Sequence, residues 1–133
     1  MPASGPTGYA FNRTRQAYLA TQLCLAGTHW SRLRGLMCTD AASFPAGQGL
    51  WIVPSRGVHT FAMRFPIDVV YLDRHWRVVA IRERVVPYRL TWGGGRARGV
   101  LEFAAGEVAR LQITDGQQLL LRPHASLTGR PPR

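Results

Sequence analysis

The sequence predicts a mainly β domain, a compact antiparallel β-sandwich or barrel with one or two short helices. Its apolar runs are short, rich in Val, Ile, Leu, Tyr and Phe, and separated by Gly, Pro and Asp turn signals. Those runs do not alternate with long helical patterns, which argues against a βαβ layout. A chain of 133 residues with 46% apolar residues, four Trp, four Tyr and five Phe can support a hydrophobic core without staples.

Residues 1–15 are rich in Pro, Gly, Ser and Thr and then basic at Arg13 and Arg15, and 123–133 carry Pro123, Gly129, Pro131 and Pro132. Both ends therefore read as flexible tails around one β-rich domain at 16–122. Within it, Ala17 to Ala26 suits a strand that Gly27 ends. Thr28 can cap a short helix running through Trp30, Leu33 and Leu36, because its hydroxyl can accept from free first-turn amides. Leu50 to Val53 is a buried-strand signal stopped by Pro54. From Val58 to Arg64 large side chains (His59, Phe61, Met63) alternate with Thr60, Ala62 and Arg64. Ile67 to Leu72 is apolar on both faces except at Asp68, and Asp73-Arg74-His75-Trp76 turns the chain into a return strand at Arg77 to Val86. Pro87 opens an irregular stretch with Gly93-Gly94-Gly95, Val100 to Phe103 resumes a strand, and Ala105 to Leu111 is a short helix. Asp115-Gly116 turns into a last strand at Gln118 to Arg122.

Composition excludes several chemistries. All 17 basic residues are Arg, so Walker A phosphate binding, Schiff-base catalysis and pyridoxal phosphate anchoring lack their amine. No cofactor is implied. Against 7 acids the formal charge is +10, a field that favours anionic partners: a small anionic ligand, an acidic protein segment or nucleic acid. His29, His59, His75 and His124 lack metal-ligand spacing, so no metal site is expected. Cys24 and Cys38 show no C-x-x-C spacing and read as free thiols of a reducing compartment. With no signal-like start and no run long enough to span a bilayer, the expected location is cytoplasmic.

The run His59-Thr60-Phe61-x-Met63-Arg64-x-Pro66-Ile67-Asp68-Val69-Val70-Tyr71-Leu72-Asp73 resembles the signature of the bacterial family called domain of unknown function 192. Arg34-Gly35-Leu36-Met37, Gly49-Leu50-Trp51, and Val100-Leu101-Glu102-Phe103 followed by Ala105-Gly106 fall in the family's order, so the likeness spans residues 28–122. It implies a compact β fold with small helices at its edge, and no activity. Two departures stand out: Trp76 occupies a hairpin tip where members typically have Gly, and the 88–98 loop is unusually rich in Arg and aromatic residues.

Two constellations are candidate sites. Arg34, His59, Thr60, Arg64, Asp68 and Glu102 lie within the matched motifs. Asp68 interrupts an oily strand and needs a partner, for which Arg34 or Arg64 offers a bidentate guanidinium. The structural alternative is a buried ion pair pinning helix to sheet. On the functional reading, a cleft beside His59, Arg64 and Asp68 holds a small anionic ligand or acidic peptide and performs no catalysis. A hydrolase or isomerase using His59 with Asp68 or Glu102 would require those side chains to converge in an open pocket. The second constellation is Arg82, Arg84, Tyr88, Arg89, Trp92, Arg96 and Arg98, where arginines interleave with aromatics as in single-strand binders. Its bland counterpart is a solvated loop whose Trp92 packs back onto the sheet.

Overall fold

The computed structural model describes residues 7–26, 47–60 and 65–124. Its elements are β1 (Thr7–Asn12), β2 (Ala17–Ala26), β3 (Gln48–Ile52), β4 (Gly57–His59), β5 (Ile67–Leu72), β6 (Val78–Val85), β7 (Leu90–Trp92), β8 (Gly99–Ala104), α1 (Glu107–Leu111) and β9 (Leu119–Pro123). The expected helix from Thr28 to Leu36, the stretch 61–64 and Cys38 lie outside the described residues.

Seven strands form one curled sheet in the order β6-β5-β8-β3-β2-β1-β9, and β4 and β7 form a small second sheet. The mainly β expectation holds as a half-barrel. Its two edge strands nearly meet at one end, where Arg77 bridges Gln118 and the Leu119 N–H donates to the Trp76 carbonyl at 2.9 Å. One pairing departs from an all-antiparallel sheet: β2 and β3 run parallel, which the long connection through residues 27–47 permits.

β5 explains the architecture. All six of its residues are buried because it lies between β6 and β8 with apolar material on both faces. Period-two alternation sends Val70 and Leu72 inside the curl with Leu101, Phe103, Leu23 and Leu119. Val69 and Tyr71 point the other way, with Leu50, Ile52, Val58 and Val100, beneath the small sheet. Each such aliphatic side chain contributes about 1.5–3 kcal/mol of transfer free energy.

The predicted N-terminal tail is corrected by β1, which is sandwiched between β2 and β9. Two aromatic residues there carried too little periodic signal: Tyr9 and Phe11 each meet the Tyr18 ring edge-to-face, at centroid distances of 5.8 and 5.0 Å. The predicted irregular stretch after Pro87 likewise contains a three-residue strand, β7. At the β5–β6 turn, Asp73 Oδ1 accepts from the His75 and Arg77 amides at 2.8 and 3.0 Å. Trp76 adopts φ 63 there, a left-handed backbone that costs a bulky residue about 1–2 kcal/mol and suits Gly. Cys24 is disulfide-bonded, which corrects the free-thiol reading and removes the argument for a reducing compartment. No helix among the described residues is long and apolar enough to cross a membrane.

Candidate functional site

The two expected constellations fare differently, beginning with Asp68. Its carboxylate is fully buried. Oδ1 accepts from the Arg84 amide at 2.9 Å, while Oδ2 accepts from the Gly106 and Val108 amides at 3.0 and 2.9 Å. α1 begins at Gly106 without a side-chain cap of its own, so Asp68 supplies one from β5. Among the described residues the partners of Asp68 are these main-chain amides and no guanidinium pairs with it, while the expected partners Arg34 and Arg64 lie outside the described residues. Three directed donors satisfy a buried carboxylate as well as one guanidinium does.

Glu102 is also fully buried, but on the opposite face. It stands directly across from Val69, and Asp68 precedes Val69 by one residue, so the two acids point away from each other. The sheet therefore does not bring Asp68 together with His59 and Glu102 in an open pocket, which corrects the hydrolase or isomerase arrangement that used Asp68. His59 is half-buried at the end of β4, opposite Leu90. Thr60 is buried and committed to the backbone: its hydroxyl donates to the Val86 carbonyl at 2.7 Å and accepts from the Arg89 amide at 2.9 Å. Arg34 and Arg64 lie outside the described residues.

The second constellation lies partly on the small sheet, which carries Leu90 and Trp92, and partly on β6 and the segment after β7. Val58 and Thr91 are paired and face inward, and the Thr91 hydroxyl shares a hydrogen bond with the Tyr71 phenol. Gly93 packs flat on the Tyr71 ring, where any Cβ would overlap it, so β7 can lie close over β5. Burial pushes the Tyr71 phenol above its ordinary value of 10.0, opposed by hydrogen bonds from Thr91 and the Val58 backbone; the nearby Glu102 charge adds to the rise and Arg82 opposes it.

Alternation along β7 then turns Leu90 and Trp92 outward. Tyr88, Leu90 and Trp92 are 72%, 75% and 58% exposed, so Trp92 does not pack back onto the sheet as the bland reading held. Around them, the Arg82 guanidinium donates to the Trp92 carbonyl at 3.1 Å and the Arg89 guanidinium lies against the Tyr88 carbonyl at 3.5 Å. Arg56 and Arg98 both reach the Ala97 carbonyl, each at 3.3 Å. Arg96 is exposed beside them. The ion pair formed among the described residues is Arg110–Glu107, so none of these guanidiniums meets a carboxylate there. Arg84 departs from the group: its guanidinium is turned toward Gly106, on the Asp68 side. Arg56 was missed from the sequence because it precedes β4 and joins only through the fold, with its carbonyl accepting from the Gly93 amide at 2.8 Å.

No group of His, Cys, Asp and Glu among the described residues is arranged to hold a metal. The model of the family domain of unknown function 192, described as uncharacterized ACR, matches residues 10–121. A UPF0127 protein of Thermococcus sibiricus is 28% identical over 113 residues, covering 81% of this chain and 71% of its own. A solved structure of a protein of unknown function from Novosphingobium aromaticivorans superposes with TM-score 0.71 at 22% identity, over 90% of this chain and 89% of that one. The structure of a candidate transcription regulator from Sinorhizobium meliloti gives TM-score 0.71 at 20% identity, over 91% of this chain and 96% of that one. At these identities the solved structures establish the shared fold.

Proposed function

Because the chain belongs to the domain of unknown function 192 family, whose description assigns no activity, its role must be read from its side chains, and we propose a non-catalytic binding module for single-stranded nucleic acid. The observation that carries this reading is the exposed set Tyr88, Leu90 and Trp92 on a stretch that also bears Arg82, Arg89, Arg96 and Arg98, with Arg56 brought in by the fold and, among the described residues, no carboxylate paired with these guanidiniums. Aromatic faces can stack unpaired bases at about 1–3 kcal/mol each, and guanidiniums can pair the phosphates between them. Between Arg82 and Arg98 the sequence holds a single acid, Glu83, so the local field is strongly positive. That one structural neighbour is described as a candidate transcription regulator accords with a nucleic-acid partner.

The cleft for a small anionic ligand or acidic peptide beside His59, Arg64 and Asp68 is the weaker reading, since Asp68 spends its oxygens on three amides across the sheet.

Fluorescence anisotropy of a labelled fifteen-nucleotide oligothymidine tests the proposal. The expected log Kd rises with log salt at a slope near 0.7 per neutralised phosphate, giving roughly 2–4 in total. Arg96→Ala and Arg98→Ala should each lower that slope by about 0.7. Trp92→Ala should weaken binding by about 1–3 kcal/mol and leave the slope unchanged. Binding that ignores salt, no binding at low salt, or binding to phosphatidylserine vesicles without binding to the oligonucleotide would each overturn the reading.

A further inference from the structure

The half-barrel has an opening of its own, away from the small sheet. Where the β5–β6 turn meets β9, a groove of about 390 Å³ is lined by Leu25, Trp51, Val53, Trp76, Leu121 and Arg122, from the ends of β2, β3 and β9 and that turn. We propose that this mouth is a binding site for a small amphipathic carboxylate, with its hydrocarbon body against Trp51 and Trp76 and its acid at Arg122. The volume is in the range of small-molecule sites, which recur at the mouths of β-barrels.

Charge complementarity fixes the class of ligand. The walls are apolar except for Arg122, whose guanidinium carbon stands 5.9 Å from the centroid of the Trp76 ring. Among the described residues no carboxylate meets Arg122, whose positive charge sits on the rim of an oily hollow. A ligand that satisfies both parts has one anionic group at the end of a hydrocarbon body. A cation would meet Arg122 and a protein of net charge +10.

The backbone also holds both rings in place. The Trp51 ring lies against Gly99, where a Cβ would overlap it, so the ring has a slot made for it. Trp76 stands at φ 63, a position that would suit Gly better, and strain of this kind gathers where a side chain is kept for use.

Titration of ¹⁵N-labelled protein with decanoate, followed at the tryptophan indole N–H signals, provides the test. Saturable shifts are expected at Trp51 and Trp76 and not at Trp92. Arg122→Gln should weaken decanoate about tenfold, the loss of one charge-assisted contact, and leave decan-1-ol unaffected. Trp76→Gly supplies the residue its backbone favours and should abolish saturable binding in a protein that still folds. Should that variant fail to fold, Arg122→Gln decides the matter alone, because an exposed head-group contact can be removed without touching the core. No saturable shift at Trp51 and Trp76, shifts confined to Trp92, or wild-type decanoate affinity in Arg122→Gln overturns the proposal. A groove filled by the chain's own residues 27–46 gives the first of these results.

Discussion

Replacing Asp68 by Asn separates a structural carboxylate from a functional one. Asn retains one carbonyl oxygen and puts an NH₂ donor in place of the other. If the carbonyl takes the Oδ2 position, the Gly106 and Val108 amides keep a neutral acceptor, and the NH₂ faces the Arg84 amide donor to donor. Hydrogen bonds to a charged acceptor contribute about 1.5–3 kcal/mol and neutral ones about 0.5–1.5, so two weakened bonds and one lost bond cost about 3–5 kcal/mol. For a domain of this size each kcal/mol moves the melting temperature by about 3–4 °C, so a fall of roughly 10–20 °C is expected by calorimetry or circular dichroism. Oligonucleotide binding measured well below that transition should be unchanged, because the β4–β7 surface lies on the other side of the sheet. If Asp68→Asn melts within about 2 °C of wild type yet loses ligand binding, the capping role assigned to this acid is wrong.

Gly93→Ala places a methyl into the Tyr71 ring and should destabilise the protein by about 1–3 kcal/mol, while weakening oligonucleotide binding through displacement of β7; equal stability in chemical denaturation would contradict the close packing. Tyr71→Phe removes the bond shared with Thr91 and should cost about 1 kcal/mol at neutral pH. Because burial raises the Tyr71 phenol in the folded state, its contribution is complete below about pH 10 and is lost as pH rises through the folded value. Melting curves from pH 8 to 11.5 should therefore fall more steeply for wild type than for Tyr71→Phe, and parallel curves would count against a sealed phenol.

What could be read from the sequence depended on whether the signal was local. Ile67–Leu72 announced a strand buried on both faces, and Asp73 and Asp115-Gly116 announced their turns, because those residues carry the relevant chemistry themselves. β1 escaped notice because Thr7–Asn12 offers only Tyr9 and Phe11 as pattern, and its stability comes from Tyr18, β2 and β9. That Asp68 needed a partner was legible from its oily surroundings; that the partners are amides was not, since every residue except Pro offers one. The Arg and aromatic surface was visible as composition, whereas the outward aim of Leu90 and Trp92 required the inward anchoring of Thr91 on Tyr71. The groove was hidden because its walls come from separate parts of the chain: Leu25, Trp51 and Leu121 each read alone as strand residues, and Trp76 as part of a turn.

The place of β1 between β2 and β9 bears on how the molecule is made. During synthesis β1 emerges long before β9, so its outer hydrogen-bonding row stays open while roughly a hundred further residues are made. Pairings this distant in sequence slow folding and leave a sticky edge available to other nascent chains. Deleting the residues of β9 should therefore yield inclusion bodies rather than a shortened soluble domain.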